Sequence, residues 1–202
     1  MKNVGIYIGS FNPMHIGHVM ITNYVLENTD VSEIVIVPSY HSFGKPELAS
    51  FNDRVTMVHK SVKMMRGVLV STIESKLSGY TYETLENFIN SKYYDKVTLI
   101  IGADNFIGLH KFLNISWILS NCDLIVLGRD DINLETGFDN LKDIPGFNKD
   151  KIKILNDFPQ VKMSSSFIRN EVKSGRDIIG YVMPEVRKHI KEFKLYRDEK
   201  RK

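Results

Sequence analysis

The chain has a single cysteine, Cys122, in 202 residues, which excludes any intrachain disulfide and is compatible with a reducing compartment. Its setting, "SNCDLIVLG", predicts a packed position at a strand entry rather than a reactive thiol. No apolar run approaches the roughly 18 residues of a membrane helix. No secretory leader is read before the first strand either, and the expectation is a cytoplasmic protein without a membrane partner. There is no strong charge of one sign: the formal net charge of +3 is too small to point to DNA or RNA, though it suits a small anionic ligand. No Gly-Lys-Ser/Thr ending marks a P-loop, and no repeat or low-complexity tract divides the chain. One domain over 1–202 is expected, with a helical C-terminal portion from about 164.

What is present is an alternation. "NVGIYI" (3–8), "EIVIV" (33–37), "VLVS" (68–71), "KVTLII" (96–101) and "DLIVLG" (123–128) are short, nearly continuous apolar runs, predicted as strands buried on both faces. "KIKIL" (151–155) adds another. Helical patterns separate them. Phe51, Val55, Val58, Val62 and Met65 form one apolar face, opened by Ser50 with Asp53 in the manner of a capping box. A further helix starts near Thr81 and buries Leu85, Phe88 and Ile89. The stretch 130–146 is predicted as a long connection with room for one short helix. The tail holds two helices, 164–175 with Phe167, Ile168 and Val172, and 184–196 with Val186, Ile190 and Phe193. Strands alternating with helices give an α/β fold, an open parallel sheet with helices on both faces, binding ligands at the carboxyl ends of its strands.

"GSFNPMHIGH" (9–18) follows the first strand and puts two histidines three residues apart. They can ligate a metal, form an acid/base pair, or hold an anion. No nearby cysteine or acidic residue completes a metal set at a recognised spacing, so no metal site is assigned. The neighbours favour the anion: Gly9 ends the strand, Ser10 and Phe11 make a turn that aims N–H groups outward, and Gly17 allows close approach at a helix start. His15 and His18 add side-chain donors. A second anion element is "MSSSFIR". There Ser164 caps a helix, Ser165 and Ser166 supply N–H groups and hydroxyls, and Arg169 lies one turn along. Two such helix starts on one sheet suit a nucleotide polyphosphate.

Together these two segments resemble the HxGH and ISSTxIR signatures of the nucleotidylyltransferase superfamily. "VPSYHSFGK", "FNDRVTMV", "SGYTYETLENF", "LIIGADNF", Trp117 and "YVMPEVRKHIKEFKLY" extend the resemblance, in order, to bacterial-type nicotinate-nucleotide adenylyltransferases. The chain departs from that pattern at Ile8 (usually glycine), Asn12 (usually aspartate), "SFGK" (a Pro-His-Lys stretch), Met163 and Ser166. The resemblance implies a Rossmann-like nucleotidylyltransferase fold. It also implies adenylyl transfer from ATP to nicotinate mononucleotide, giving nicotinate adenine dinucleotide and pyrophosphate, in NAD biosynthesis, with Mg²⁺ accompanying ATP. His18 would contact the α-phosphate, and His15, Lys45 and Arg169 would hold phosphates with Ser165 and Ser166. Thr81 and Tyr82 would lie near the pyridine carboxylate.

Several readings stay open. Trp117 stacks on the pyridine ring or packs beside Ile118 and Leu119. Gly102 and Asp104 follow the fourth strand, where Asp104 accepts from a ribose hydroxyl or caps the next helix. Arg129 faces a phosphate or solvent. Asp53 and Arg54 either pair with each other or lie near the site. Preference for nicotinamide mononucleotide, another phosphorylated acceptor, a non-catalytic nucleotide sensor and homo-oligomerisation also remain open at this level.

Overall fold

The computed structural model describes residues 2–41, 48–129, 131–159, 161 and 163–197. Six strands, β1 (Asn3–Gly9), β2 (Glu33–Pro38), β3 (Val68–Val70), β4 (Lys96–Gly102), β5 (Asp123–Leu127) and β6 (Ile152–Leu155), form one parallel sheet in the order β3-β2-β1-β4-β5-β6. The apolar runs explain the centre of this order. β1, β2, β4 and β5 are buried along most of their length because both faces are covered. The outer strand β3 differs from the expectation of burial on both faces, and β6 is likewise only partly covered. β3 is only three residues long with Leu69 half exposed, and β6 alternates toward solvent, because each pairs on one side only.

The helices are α1 (Ile16–Asn28), α2 (Phe51–Val62), α3 (Thr81–Asn90), α4 (Ala103–Ile107), α5 (Ile115–Asn121), α6 (Glu135–Leu141), α7 (Ser165–Lys173) and α8 (Pro184–Glu192). Alternate strand residues feed two cores. Val4, Ile6, Leu99 and Val126 pack with Leu85, Phe106, Ile118 and Leu141 from α3 to α6. Tyr7, Ile34, Ile100 and Ile125 pack with Val25, Val58 and Val62 from α1 and α2. A third cluster joins Met57 of α2 to Ile168, Val186 and Ile190 of the two C-terminal helices. This is why α2 buries more than the predicted stripe. Arg54, Met57 and Ser61 are buried too, since α8 covers a second side of the helix.

Two local expectations change. Ser50 caps α2, its hydroxyl accepting from the Asp53 N–H at 3.1 Å. The Asp53 carboxylate, however, takes the Ser50 hydroxyl and His189 rather than completing a reciprocal box. The last helix ends at Glu192, four residues early, and Phe193 is exposed. Left-handed backbone at Lys194 and Tyr196 (φ 53° and 61°) then turns the chain back toward β1. Cys122 is buried as expected, and burial pushes its thiol up to about 12. The connection after β5 contains one short helix, α6.

The strand order reverses direction between β1 and β4, the place where an open α/β sheet leaves a crevice. Gly9 ends β1 there and Gly102 ends β4. An added Cβ on Gly102 would meet nothing within 4 Å, so space opens above that strand end.

Candidate active site

The loop 9–15 carries the chain from β1 to the first turn of α1, and its carbonyls are tied down. Gly9 O accepts from the Ser39 N–H at 2.8 Å, Ser10 O from Arg54 Nη1 at 2.8 Å, and Pro13 O from the Ser165 hydroxyl at 2.9 Å. Asn12 O accepts from Arg169 Nη1 at 3.0 Å. In a trans peptide the C=O and the following N–H point in opposite directions. Anchoring the Gly9 and Ser10 carbonyls therefore turns the amides of Ser10 and Phe11 the other way. Phe11 adopts φ 45°, the left-handed conformation that makes a concave row of N–H groups, and the Asn12–Pro13 bond is cis. An anion site of this kind was the sequence-based expectation for Gly9, Ser10 and Phe11.

The two histidine rings stack, with centroids 3.7 Å apart and planes 28° from parallel. Phe11 meets His18 edge-on at 5.2 Å and fixes its ring from another side. The His15 N–H donates to His18 Nδ1 at 3.2 Å. A nitrogen that accepts carries no proton, so neutral His18 holds its proton on Nε2, the outer edge of the ring. Burial, reinforced by His15, holds the His18 pKa well below 6.5, and burial lowers His15 to about 4. Both rings are thus neutral donors at pH 7 in the ligand-free protein. Gly17 is needed for the stack, because an added Cβ would lie 3.1 Å from the His15 ring.

The second anion element comes to the same place. Ser164 caps α7 as expected, accepting from the Phe167 N–H at 3.1 Å. The serine hydroxyls are not all available, contrary to expectation. Ser165 is a strut to Pro13, and the Ser166 hydroxyl accepts from Arg169 Nη2 at 3.2 Å. The Ser166 hydroxyl accepts there and keeps its own proton to donate, beside the N–H groups of Ser165 and Ser166 in the first turn of α7. Of the three buried side-chain polar atoms that lack a hydrogen-bond partner among the described residues, two, His15 Nδ1 and Arg169 Nε, belong to these two segments, the third being Glu74 Oε2. Such atoms are rare in folded proteins and, side by side with a helix start, the histidine and arginine atoms suit an anionic ligand.

A cavity of about 190 Å³ opens between the ends of β1 and β4, with Ser39, His41, Thr81, Asn105 and Phe112 in its walls. Thr81 starts α3, so the first-turn amides of Thr81 and Tyr82 lie at its edge. Glu83, in the same turn, is engaged locally. Its carboxylate takes the Ser78 N–H at 2.8 Å and the Tyr82 hydroxyl at 3.3 Å. Asp104 and Arg129 pair with each other at 2.8 Å, both well exposed, and Gly102 rather than Asp104 caps α4. Trp117 sits in the first turn of α5, half-buried against the core on that side of the sheet. Lys45 lies outside the described residues. Among the described residues no group of three His, Cys, Asp or Glu side chains is placed to hold a metal ion.

Three further residues assemble this site, of which the sequence leaves Arg54 open as a partner of Asp53 or a neighbour of the site. Asn12 Oδ1 accepts from both Tyr196 Oη at 2.8 Å and the Ala49 N–H at 3.1 Å. Arg54 does not pair with Asp53 but reaches the loop carbonyls. His41 lines the cavity, its Nε2 within 3.2 Å of Leu77 O. Asn12 stands out in the sequence only as a departure from the family's aspartate, and His41 is given no role there.

A strand-loop-helix with stacked histidines facing a serine-capped helix and its arginine defines a nucleotide-phosphate site of the cytidylyltransferase-like type, and residues 6–171 match that family's model. Among named relatives, a Fusobacterium nucleatum protein called "Probable nicotinate-nucleotide adenylyltransferase" is 38% identical over 94% of this chain and 97% of its own. One of the same name from Flavobacterium johnsoniae is 34% identical, covering 96% and 98%. The chain belongs to the cytidylyltransferase-like family and, within it, to the nicotinate-nucleotide adenylyltransferases. The fold matches the Plasmodium falciparum nicotinic acid mononucleotide adenylyltransferase complexed with NaAD, with a TM-score of 0.81 at 21% identity over 97% of this chain and 98% of that one. No helix among the described residues is long and apolar enough to cross a membrane.

Proposed function

We propose that the protein transfers the adenylyl group of ATP to nicotinate mononucleotide, releasing pyrophosphate and forming nicotinate adenine dinucleotide for NAD biosynthesis. One observation carries the reading. Arg169 of the second signature segment binds the backbone of the first at Asn12, so the α7 start and the histidine pair line one site. The mononucleotide phosphate attacks the α-phosphorus of ATP, and the bond to the β,γ-pyrophosphate breaks in line. A phosphate monoester is nucleophile enough, so the protein's work is alignment and charge stabilisation.

In this reading His18 Nε2–H donates to the α-phosphate as charge builds on it. His15, Arg169 and the first-turn amides of Ser165 and Ser166 hold the rest of the triphosphate, together with Lys45. Mg²⁺ would accompany ATP and would supply charge neutralisation on the phosphates beside these donors. Nicotinate mononucleotide lies above Gly102 in the cavity at the ends of β1 and β4. Its carboxylate faces the amides of Thr81 and Tyr82, with Trp117 toward the pyridine ring and the Asp104–Arg129 pair at the ribose-phosphate side.

The test is a product assay with ATP, Mg²⁺ and each mononucleotide in turn, read by chromatography. Nicotinate adenine dinucleotide and pyrophosphate in equal amounts are expected. Tight nucleotide binding without turnover would instead identify a sensor, and turnover of nicotinamide mononucleotide alone would reassign the acceptor.

A further inference from the structure

Arg54 is a buried charge that the adenylyl-transfer reading leaves without a task. Its side chain is 1% exposed, inside α2. Nη1 donates to Ser10 O at 2.8 Å and Nε to Ala49 O at 3.2 Å. Among the described residues no carboxylate lies within ion-pair distance of it. Asp53, the adjacent residue, is turned to Ser50 and His189 instead. The Phe51 ring lies 5.6 Å from the guanidinium carbon.

A buried charge costs several kcal/mol unless something answers it, and an apolar side chain of similar volume is often as stable or more so. Packing therefore does not call for arginine here. Carbonyl oxygens satisfy some of its donors but do not cancel the charge. The bond to Ser10 O has a second consequence. It fixes the 10–11 peptide so that the Phe11 N–H points away from Arg54 and α2, on the concave side of the left-handed turn.

We infer that Arg54 is a positioning residue for the ATP triphosphate: it aims the Phe11 N–H at a phosphate oxygen and supplies, one layer below, the positive charge that the phosphates neutralise. The inference rests on the adenylyl-transfer reading and deepens it. Its ligand class is a nucleoside triphosphate; the mononucleotide cavity meets the 9–15 loop at Ser10 alone and is otherwise walled by residues such as Thr81 and Asn105, which Arg54 does not hold.

Calorimetry with a non-hydrolysable ATP analogue tests it on wild type, Arg54→Met, Arg54→Lys and Arg54→Gln, alongside steady-state kinetics and ligand-free melting. Arg54→Met is expected to bind the analogue about tenfold or more weakly, while KM for nicotinate mononucleotide stays within about twofold. Arg54→Lys, which keeps the charge, recovers much of the affinity. Arg54→Gln, which keeps a donor for the Ser10 carbonyl but not the charge, does not. Gln with wild-type affinity overturns the charge, and Met with wild-type affinity overturns the whole inference. Equal losses for ATP and mononucleotide, with a matching drop in melting temperature, would make Arg54 merely structural. If Arg54→Met does not fold, the Lys and Gln proteins carry the comparison. A wild-type protein that binds the analogue yet makes no dinucleotide refutes the reaction and leaves the Arg54 result standing.

Discussion

Replacing His18 by alanine removes the hydrogen-bond donor aimed at the α-phosphate, together with the acceptor of the His15 N–H and one side of the ring stack. The donor's value follows from its surroundings. Its Nδ1 is occupied by the His15 N–H at 3.2 Å, so Nε2–H is fixed in direction before ATP arrives. The ring is clamped between His15 at 3.7 Å and the edge of Phe11 at 5.2 Å, so little reorganisation accompanies the reaction. A preorganised donor aimed at developing charge is worth roughly 2.7–4 kcal/mol, or about 10²- to 10³-fold in kcat. Because the interaction strengthens as charge builds on the α-phosphate, kcat should fall by that factor while KM for ATP changes little. Steady-state rates of pyrophosphate release, with far-UV circular dichroism and melting to show that the variant is folded, make the measurement. A folded His18→Ala protein within about fivefold of wild-type kcat would refute transition-state donation by His18. A loss confined to KM would make it a ground-state phosphate ligand only.

Arg169→Ala should weaken an ATP analogue by about 1.5–3 kcal/mol, the range for hydrogen bonds to charged groups, and unchanged affinity by calorimetry would leave Arg169 as a strut to Asn12. Gly17→Ala places a methyl group 3.1 Å from the His15 ring, so the stack must shift; kcat should drop by roughly 10- to 100-fold with the melting temperature nearly unchanged. Unfolded His15 titrates near 6.5 and folded His15 near 4, so the unfolded chain binds the extra proton between those values. Stability due to His15 is therefore complete above pH 6.5 and lost as pH falls toward 4, by about 3 kcal/mol, and urea titrations of wild type and His15→Gln at pH 7 and 5 should show the wild type losing more. With Glu83 engaged by Ser78 and Tyr82, the amides of Thr81 and Tyr82 should favour nicotinate over nicotinamide mononucleotide by roughly 30- to 1,000-fold in kcat/KM, and equal values would reveal an acceptor in the pocket.

The sequence alone determined the elements that local pattern controls. Six apolar runs became six strands, the serine before Ser165 capped its helix, and "GSFNPMHIGH" put glycines, a turn and donors within ten residues, the grounds for proposing an anion loop there. The resemblance of the two signature segments then identified the family from residue types in order. The outer strand β3, read as buried on both faces, shows the limit of pattern: an apolar triplet reads alike at the centre and the edge of a sheet, and only pairing tells them apart. The rest required tertiary structure, because it joins residues far apart in the chain. Ser165 meets Pro13 across 152 positions, Arg169 meets Asn12 across 157, and Tyr196 meets Asn12 across 184. No periodicity encodes those contacts. The neutrality of the histidines depends on burial that a sequence does not display, and so does the exposure of Arg54 to carbonyls instead of carboxylates. Side-chain types were written in the chain; the direction of each proton and the neighbourhood of each charge were decided by the fold, which sets both desolvation and which groups lie within hydrogen-bond reach.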